Sequence, residues 1–315
     1  MSNYSIRKMS KYDDGKSLFL SPKVAQYDGH MVMTNVARPT KTKYVSIDTS
    51  YRDNYSAYDA SSGAACVITL PERITEVKTI KVRSIEIPNS IYNISSSIGN
   101  NCFQISSGAT SAMVIIPDGQ YTASSISTQI NTSIQALSTL AFRNLQHSIT
   151  AGNKSTFTIA SGGALTVSFA VLSNGSTEAA NLNRKLGWSL GFRNTSYTIS
   201  TSQTSEAILN IYGFKYLYLV IDEFTKGNQN SFLAVLPNSL VRKTILARIA
   251  LDKNFFPFGE VFTANLTNGY LLSDRRSYTG AVDLQRLSIQ LVDDIGKPVS
   301  LNGLDFSFCL EVEHE

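Results

Sequence analysis

The feature that most constrains this chain is a run of apolar side chains at every second position near residue 310. Leu304, Phe306, Phe308, Leu310 and Val312 alternate with Asp305, Ser307, Cys309, Glu311 and Glu313. A helix would scatter such a set around its axis. A β-strand, whose side chains alternate between two faces, gathers it on one side. A strand this regular is expected inside a sandwich, not at a frayed edge. The same period appears in Tyr44 to Thr49, with Val45, Ile47 and Thr49 in phase, in Ile245 to Leu251, and in Leu287, Ile289 and Leu291. Cys66 to Leu70 reads as a strand stopped by Pro71, and Glu76 to Ile87 as a separate one whose apolar phase slips, the mark of a bulge. Ile208 to Ile221 is almost wholly apolar with Gly213 as a break, and Ser231 to Leu236 ends at Pro237.

Composition agrees with strands. Among 315 residues there are 41 Ser, 26 Thr, 15 Tyr and 15 Phe, while charged residues are only 17%. A hydrophobic content of 43% is enough for a sizeable core and excludes global disorder. No apolar run approaches the ~18–20 residues of a membrane helix. The first residues lack the apolar stretch of a signal peptide, so the Asn-x-Ser/Thr sequons from Asn93 to Asn265 are expected to be unused. Cys66, Cys102 and Cys309 are odd in number and widely spaced, which fits buried thiols in a reducing compartment.

Residues 93–205 differ from the rest. They are rich in Ser, Thr, Asn and Gly, and Ser124 to Leu140 places Ile126, Ile130, Ile134 and Leu137 at helical spacing, with Thr122 or Ser124 as cap. Phe157 to Ile159 and Leu165 to Phe169 look like short strands around Gly162-Gly163, and Thr177 to Leu186 like a second helix capped by Ser176 or Thr177. The expected fold is therefore all-β: a single jelly-roll sandwich from residues 43–92 and 206–315, an inserted α+β domain at 93–205, and an extended basic N-terminal arm at 1–42. Residues 1–43 carry Arg7, Lys8, Lys11, Lys16, Lys23, Arg38, Lys41 and Lys43 against Asp13, Asp14 and Asp28, a net +5 in a chain of net +4. Such an arm is either a solvated tail or a device for binding a neighbouring subunit or an acidic surface. It lacks the dense basic runs that specific nucleic-acid binding would use.

No catalytic constellation emerges. His30, His147 and His314 are far apart, and no CxxC, HxH, HExxH, phosphate loop or Gly-x-Ser-x-Gly elbow occurs. Asp293-Asp294 and Asp222-Glu223 read as turn-shaping or solvated strand-end carboxylates, and Asp48, Arg52 and Asp53 as a structural ion cluster. Neither a cofactor nor a metal is expected, and an enzyme is the least favoured class. The candidate functional residues are instead candidates for subunit contact. Trp188, Phe192 and Arg193 sit in Gly187-Trp188-Ser189-Leu190-Gly191-Phe192-Arg193, either as an interface anchor or as a plug in the core of the insertion. Phe255, Phe256 and Phe258 either cap the sandwich end or touch a neighbour. Arg275 and Arg276 are best accounted for by an interface salt bridge, with an acidic partner or nucleic acid as the alternatives.

Several segments resemble capsid proteins of nucleocytoplasmic large DNA viruses. They are Ala247 to Asp252, Phe256-Pro257-Phe258-Gly259, Ala264-Asn265, Asn268-Gly269, Leu272 to Tyr278, Leu284 to Leu287 and Val299 to Phe308, with Tyr44 to Arg52 and Leu186 to Arg193. The likeness is strongest to the single jelly-roll minor capsid or penton proteins of algal and giant viruses and covers roughly residues 43–310. It implies a structural virion protein: a homopentamer at the fivefold vertex, assembled in the host cytoplasm, surrounded by major capsid protein trimers and other minor capsid proteins, with the insertion outward. Residues 1–42 lie outside the likeness; a basic arm without its own fold is expected to order on assembly, against neighbouring capsid proteins or the inner membrane surface. Two alternatives remain: a minor capsid protein beneath the facets, and a glycan-binding or host-attachment module.

Overall fold

Two strands, each long enough to run through both layers of a sandwich, organise the molecule. They are β2 (Ala65–Pro88) and β15 (Arg276–Val292) in the computed structural model, which describes residues 39–55, 64–225, 228–229, 232–234, 244–252 and 256–315. Nearly all of the arm, part of the Ser231 to Leu236 segment and Phe255 lie outside the described residues.

Around these two strands six shorter ones form two layers, and β11 (Asn228–Gln229) pairs with β15 beside them. In one, β1 (Lys41–Asp48) lies beside β16 (Ser307–His314), β16 beside the second half of β2, and β2 beside β13 (Val261–Asn265). In the other, residues 65–69 of β2 pair with 286–290 of β15, β15 with β10 (Tyr216–Asp222), and β10 with β12 (Ile245–Ala250). Every pairing for which the register is known is antiparallel, and β14 (Leu271–Ser273) extends the second layer beyond β12. The inward side chains of both layers, among them Ile47, Val82, Phe262, Leu310, Leu219, Ile249 and Leu291, make one core. This is the jelly-roll sandwich the alternation predicts. β16 occupies an interior position between β1 and β2, with Phe308, Leu310 and Val312 buried, while Leu304 precedes the strand and is exposed.

Pro71 does not stop a strand. Residues 65–70 and 76–87 belong to one element, because the register between β2 and β15 slips where Pro71 sits. Thr69 pairs with Arg286 and Ile74 with Leu284, so residues 70–73 bulge out and the missing N–H of proline goes unmissed. A second irregularity follows at Glu76, whose φ of 55° is left-handed and whose N–H donates to Asp283 Oδ1 at 3.2 Å. These kinks bend β2 from one layer into the other.

The long apolar run before residue 222 divides. Residues 208–215 belong to no strand, and only Tyr216–Asp222 form one. Leu217, Leu219 and Ile221 face the sandwich core. Tyr218 and Val220 are covered on the other side by Ile245, Val292 and the flanking Phe232 and Ala234. A strand buried on both faces has no polar phase, which explains its composition.

Residues 94–211 supply a second core. Helix α1 (Ala123–Gln135) buries Ile126, Ile130 and Ile134, and Thr122 caps it, accepting from Ser125 N at 3.2 Å while Ser125 Oγ accepts from Thr122 N. Each fully buried isoleucine contributes about 1.5–3 kcal/mol. Two small sheets flank the helix. One runs β4 (Thr110–Ile115), β3 (Cys102–Ser107), β7 (Leu165–Ser168), β8 (Ser196–Ile199); the other runs β5 (Leu145–Ile149), β6 (Ser155–Ile159), β9 (Ser202–Thr204). The strands on either side of Gly162-Gly163 thus enter different sheets. The helix expected over residues 177–186 does not form. Thr177 bridges to Val171, Glu178 N donates to Ala170 O at 2.8 Å, and the Glu178 carboxylate grips the buried Lys185 ammonium. These tertiary bonds win over helix propensity and leave a 3-10 turn at Leu182–Arg184 followed by a short helix α2 (Leu186–Leu190).

Candidate subunit-contact surface

The single tryptophan sits on α2. That helix ends at Gly191, with φ 98°, where an added Cβ would run into the Ala207 carbonyl. The sharp turn sends the next two residues in opposite directions. Phe192 goes inward, stacking 5.2 Å from Phe169 and 5.6 Å from Phe157, fully buried. Arg193 goes outward and lays its guanidinium 4.1 Å from the centroid of the Trp188 ring, donating from Nη1 to Trp188 O at 3.0 Å. Trp188 is 37% exposed. Phe192 is therefore a core plug and cannot touch a neighbour, while Trp188 and Arg193 form a fixed aromatic–cation pair at the surface.

The phenylalanine-rich loop behaves similarly. Phe256 packs edge-on against Phe262 at 4.6 Å and Tyr270 at 5.9 Å, closing the end of the sandwich core. Phe258 stacks on Tyr92 at 5.8 Å and stays exposed, next to the exposed Val261 of β13.

The two arginines part company where the chain enters β15 at Arg276. Arg275 lies over the outer face of β16, with Nη2 2.7 Å from Glu313 Oε1, and Arg83 Nε lies 3.2 Å from Glu311 Oε2 on the same face. Arg276 points inward and is completely buried. Its Nη1 meets Glu223 Oε1 at 2.5 Å and Ile221 O at 2.8 Å, and its Nη2 donates to Thr244 O at 2.7 Å. Tyr278 donates to the same carboxylate oxygen, and burial followed by the Glu223 charge pushes its phenol far above the usual range. Arg276 is thus unavailable to a second subunit. Glu223, expected as a solvated strand end, is its internal counter-ion.

The other acidic candidates are also engaged within the chain. Asp293 Oδ1 accepts from Ile295 N and Lys297 N, which shapes its turn, and its Oδ2 lies 2.6 Å from Arg184 Nη2. The same nitrogen is 2.6 Å from Asp294 Oδ1. Arg52 Nη1 is 2.6 Å from Asp305 Oδ1, and Asp53 accepts from Thr69 N and Thr69 Oγ1. Among the described residues no group of three or more His, Cys, Asp and Glu is placed to hold a metal. The three cysteines are free, and burial raises the Cys66 thiol to about 11, away from reactivity.

Two features lay beyond sequence reasoning. The first is a pair of sheet edges. Among the described residues β1 and β13 close opposite ends of one layer, each with a neighbour on one side only. The second is a groove of about 440 Å³ beside Trp188, where the segment before β10 passes the short helix α2. Neither leaves a local signal, because edges and grooves are set by topology.

No protein-family model matches the chain, and no curated protein matches it. Among solved structures it is similar to the penton protein of mavirus, determined as a selenomethionine crystal structure. Identity is 10%, the TM-score is 0.45, and the match covers 88% of this chain and 100% of that one. Similarity at this level assigns no function.

Proposed function

We propose that this protein is a structural subunit of a viral capsid, placed as the penton at the fivefold vertices of a large DNA virus. The observation that carries this is the pair of free edges at opposite ends of one sandwich layer, β1 and β13. Each copy offers two different edges, so contact between copies is head-to-tail, and such contact closes a ring when the rotation per copy is a fifth of a turn. The surface near β13 supports it, because Phe258 and Val261 leave apolar area there for a neighbour to cover. Most of the segments that resemble capsid proteins of nucleocytoplasmic large DNA viruses lie along β12 to β16, and two more lie on β1 and α2. Residues 1–42, with most of the basic excess, then reach major capsid protein trimers, other minor capsid proteins or the inner membrane surface.

The test is the mass of the assembled species together with its position in a virion reconstruction. A homopentamer on the fivefold axes is expected. Density beneath the facets would move the protein to the minor capsid class, and absence from the shell would overturn the capsid role.

A further inference from the structure

The groove beside Trp188 has a chemistry that the assembly role does not use. Its lining includes the rings of Trp188 and Tyr216. Both rings are held from one side by a guanidinium, Arg193 at 4.1 Å and Arg248 at 4.3 Å. Rings pinned this way are rigid and lose little entropy when a ligand stacks on them. The groove also holds Asn183, Asn210 and Lys215. The side chains of Asn183 and Lys215 make no hydrogen bond or ion pair among the described residues. Asn210 uses only its Oδ1, accepting from Tyr212 N at 3.4 Å. An amide with free donor and acceptor matches a pair of neighbouring hydroxyls.

Charge narrows the ligand. Arg184 is neutralised by Asp293 and Asp294, both at 2.6 Å, and Asp294 shares the groove with Lys215. The groove thus carries both signs, with Arg193 and Arg248 on its rings beside them, so a charged ligand of either sign meets a like charge as well as an opposite one. An apolar peptide side chain would leave the amides unpaired, at a cost comparable to the gain from burying it. An uncharged ligand with hydroxyls on its rim and C–H groups on its face satisfies both the rings and the amides. A volume of about 440 Å³ falls within the range of small-ligand sites.

We propose that this groove binds an uncharged saccharide, its C–H face on Trp188 and its hydroxyls on Asn183, Asn210 and Lys215. The site does not depend on the capsid role, and it would serve attachment from an exposed surface.

Trp188 is the only tryptophan in the chain, so its emission reports on this groove alone. The full chain is titrated with glucose, galactose, mannose and N-acetylglucosamine, and with N-acetylneuraminic acid as the charged comparison. At least one uncharged sugar is expected to change the emission saturably. Asn183→Ala and Lys215→Ala, both surface changes, are expected to weaken binding about tenfold each without moving Tm. Three results would overturn the proposal. They are no saturable change with any uncharged sugar up to about 100 mM, unchanged affinity in both variants, and a response to N-acetylneuraminic acid alone.

Discussion

Acid should loosen the second core through one side chain, His147. The residue is on β5, with its ring edge-on to Phe157 at 5.0 Å and its Nδ1 3.0 Å from Ser127 Oγ. Its backbone is locked to α1, donating to Asn131 Oδ1 at 2.7 Å and accepting from Asn131 Nδ2 at 2.8 Å. Among the described residues Nε2 is buried without a partner, so a proton there would create a charge with nothing to solvate it. Burial accordingly lowers the imidazole pKa from 6.5 to about 4. The unfolded chain therefore binds more protons than the native one between those values. Stability is fully present above pH 6.5, falls as pH drops toward 4, and the loss levels off below it. A shift of that size corresponds to about 3 kcal/mol. The assay is urea unfolding, followed by Trp188 emission, at half-unit steps from pH 7.5 to 4, for the native chain and His147→Asn. The variant keeps a nitrogen near the Nδ1 position and cannot titrate. Its stability at pH 7.5 is expected to be lower, and its decline toward pH 4 shallower by about 3 kcal/mol. Carboxylates such as Glu178, held low by its bond to Lys185, cancel in the difference. Parallel curves, or an imidazole proton resonance for His147 titrating near 6.5, would refute the reasoning.

Other consequences can be measured in the same way. Gly187→Ala puts a methyl inside the Phe169 ring and should cost about 1–3 kcal/mol, read as a lower Tm, while Gly152→Ala, in open surroundings, should cost far less. Glu223→Gln strands the buried Arg276 and should cost about 3–5 kcal/mol, and the double change to Glu223→Leu with Arg276→Met should recover much of it in denaturant titrations. Arg184→Met removes the ion pairs joining the 3-10 turn to the Asp293 turn. Hydrogen exchange should quicken at residues 182–190 and 293–302 but not in β10 or β12.

How much the chain disclosed depended on whether a residue answers to its neighbours in sequence or in space. Phe308, Leu310 and Val312 announce their strand because alternation is a local property, and Ile126, Ile130 and Ile134 announce α1 for the same reason. Pro71 misled, because whether a proline breaks a strand depends on whether the opposite strand needs its N–H, and β15 slips at that point. Residues 177–186 misled because Glu178 answers to Ala170 and Lys185. Adjacent arginines cannot be told apart by inspection, yet Arg276 meets Glu223 across 53 residues while Arg275 meets Glu313 at the surface. Of the contact candidates, Trp188, Arg193, Phe258 and Arg275 reach the surface, Phe192 and Arg276 do not, and Phe256 is half-buried.

The place of β16 bears on when this protein can exist at all during synthesis. Its residues are among the last that a ribosome would add to this stretch, yet they lie between β1, made some 260 residues earlier, and β2. Until residues 307–314 emerge, β1 lacks the strand it pairs with among the described residues, and the place that β16 will fill stays open. A chain interrupted before that point has an unfinished layer. Vectorial synthesis thus acts as a gate, letting the sandwich close only in chains that carry β16.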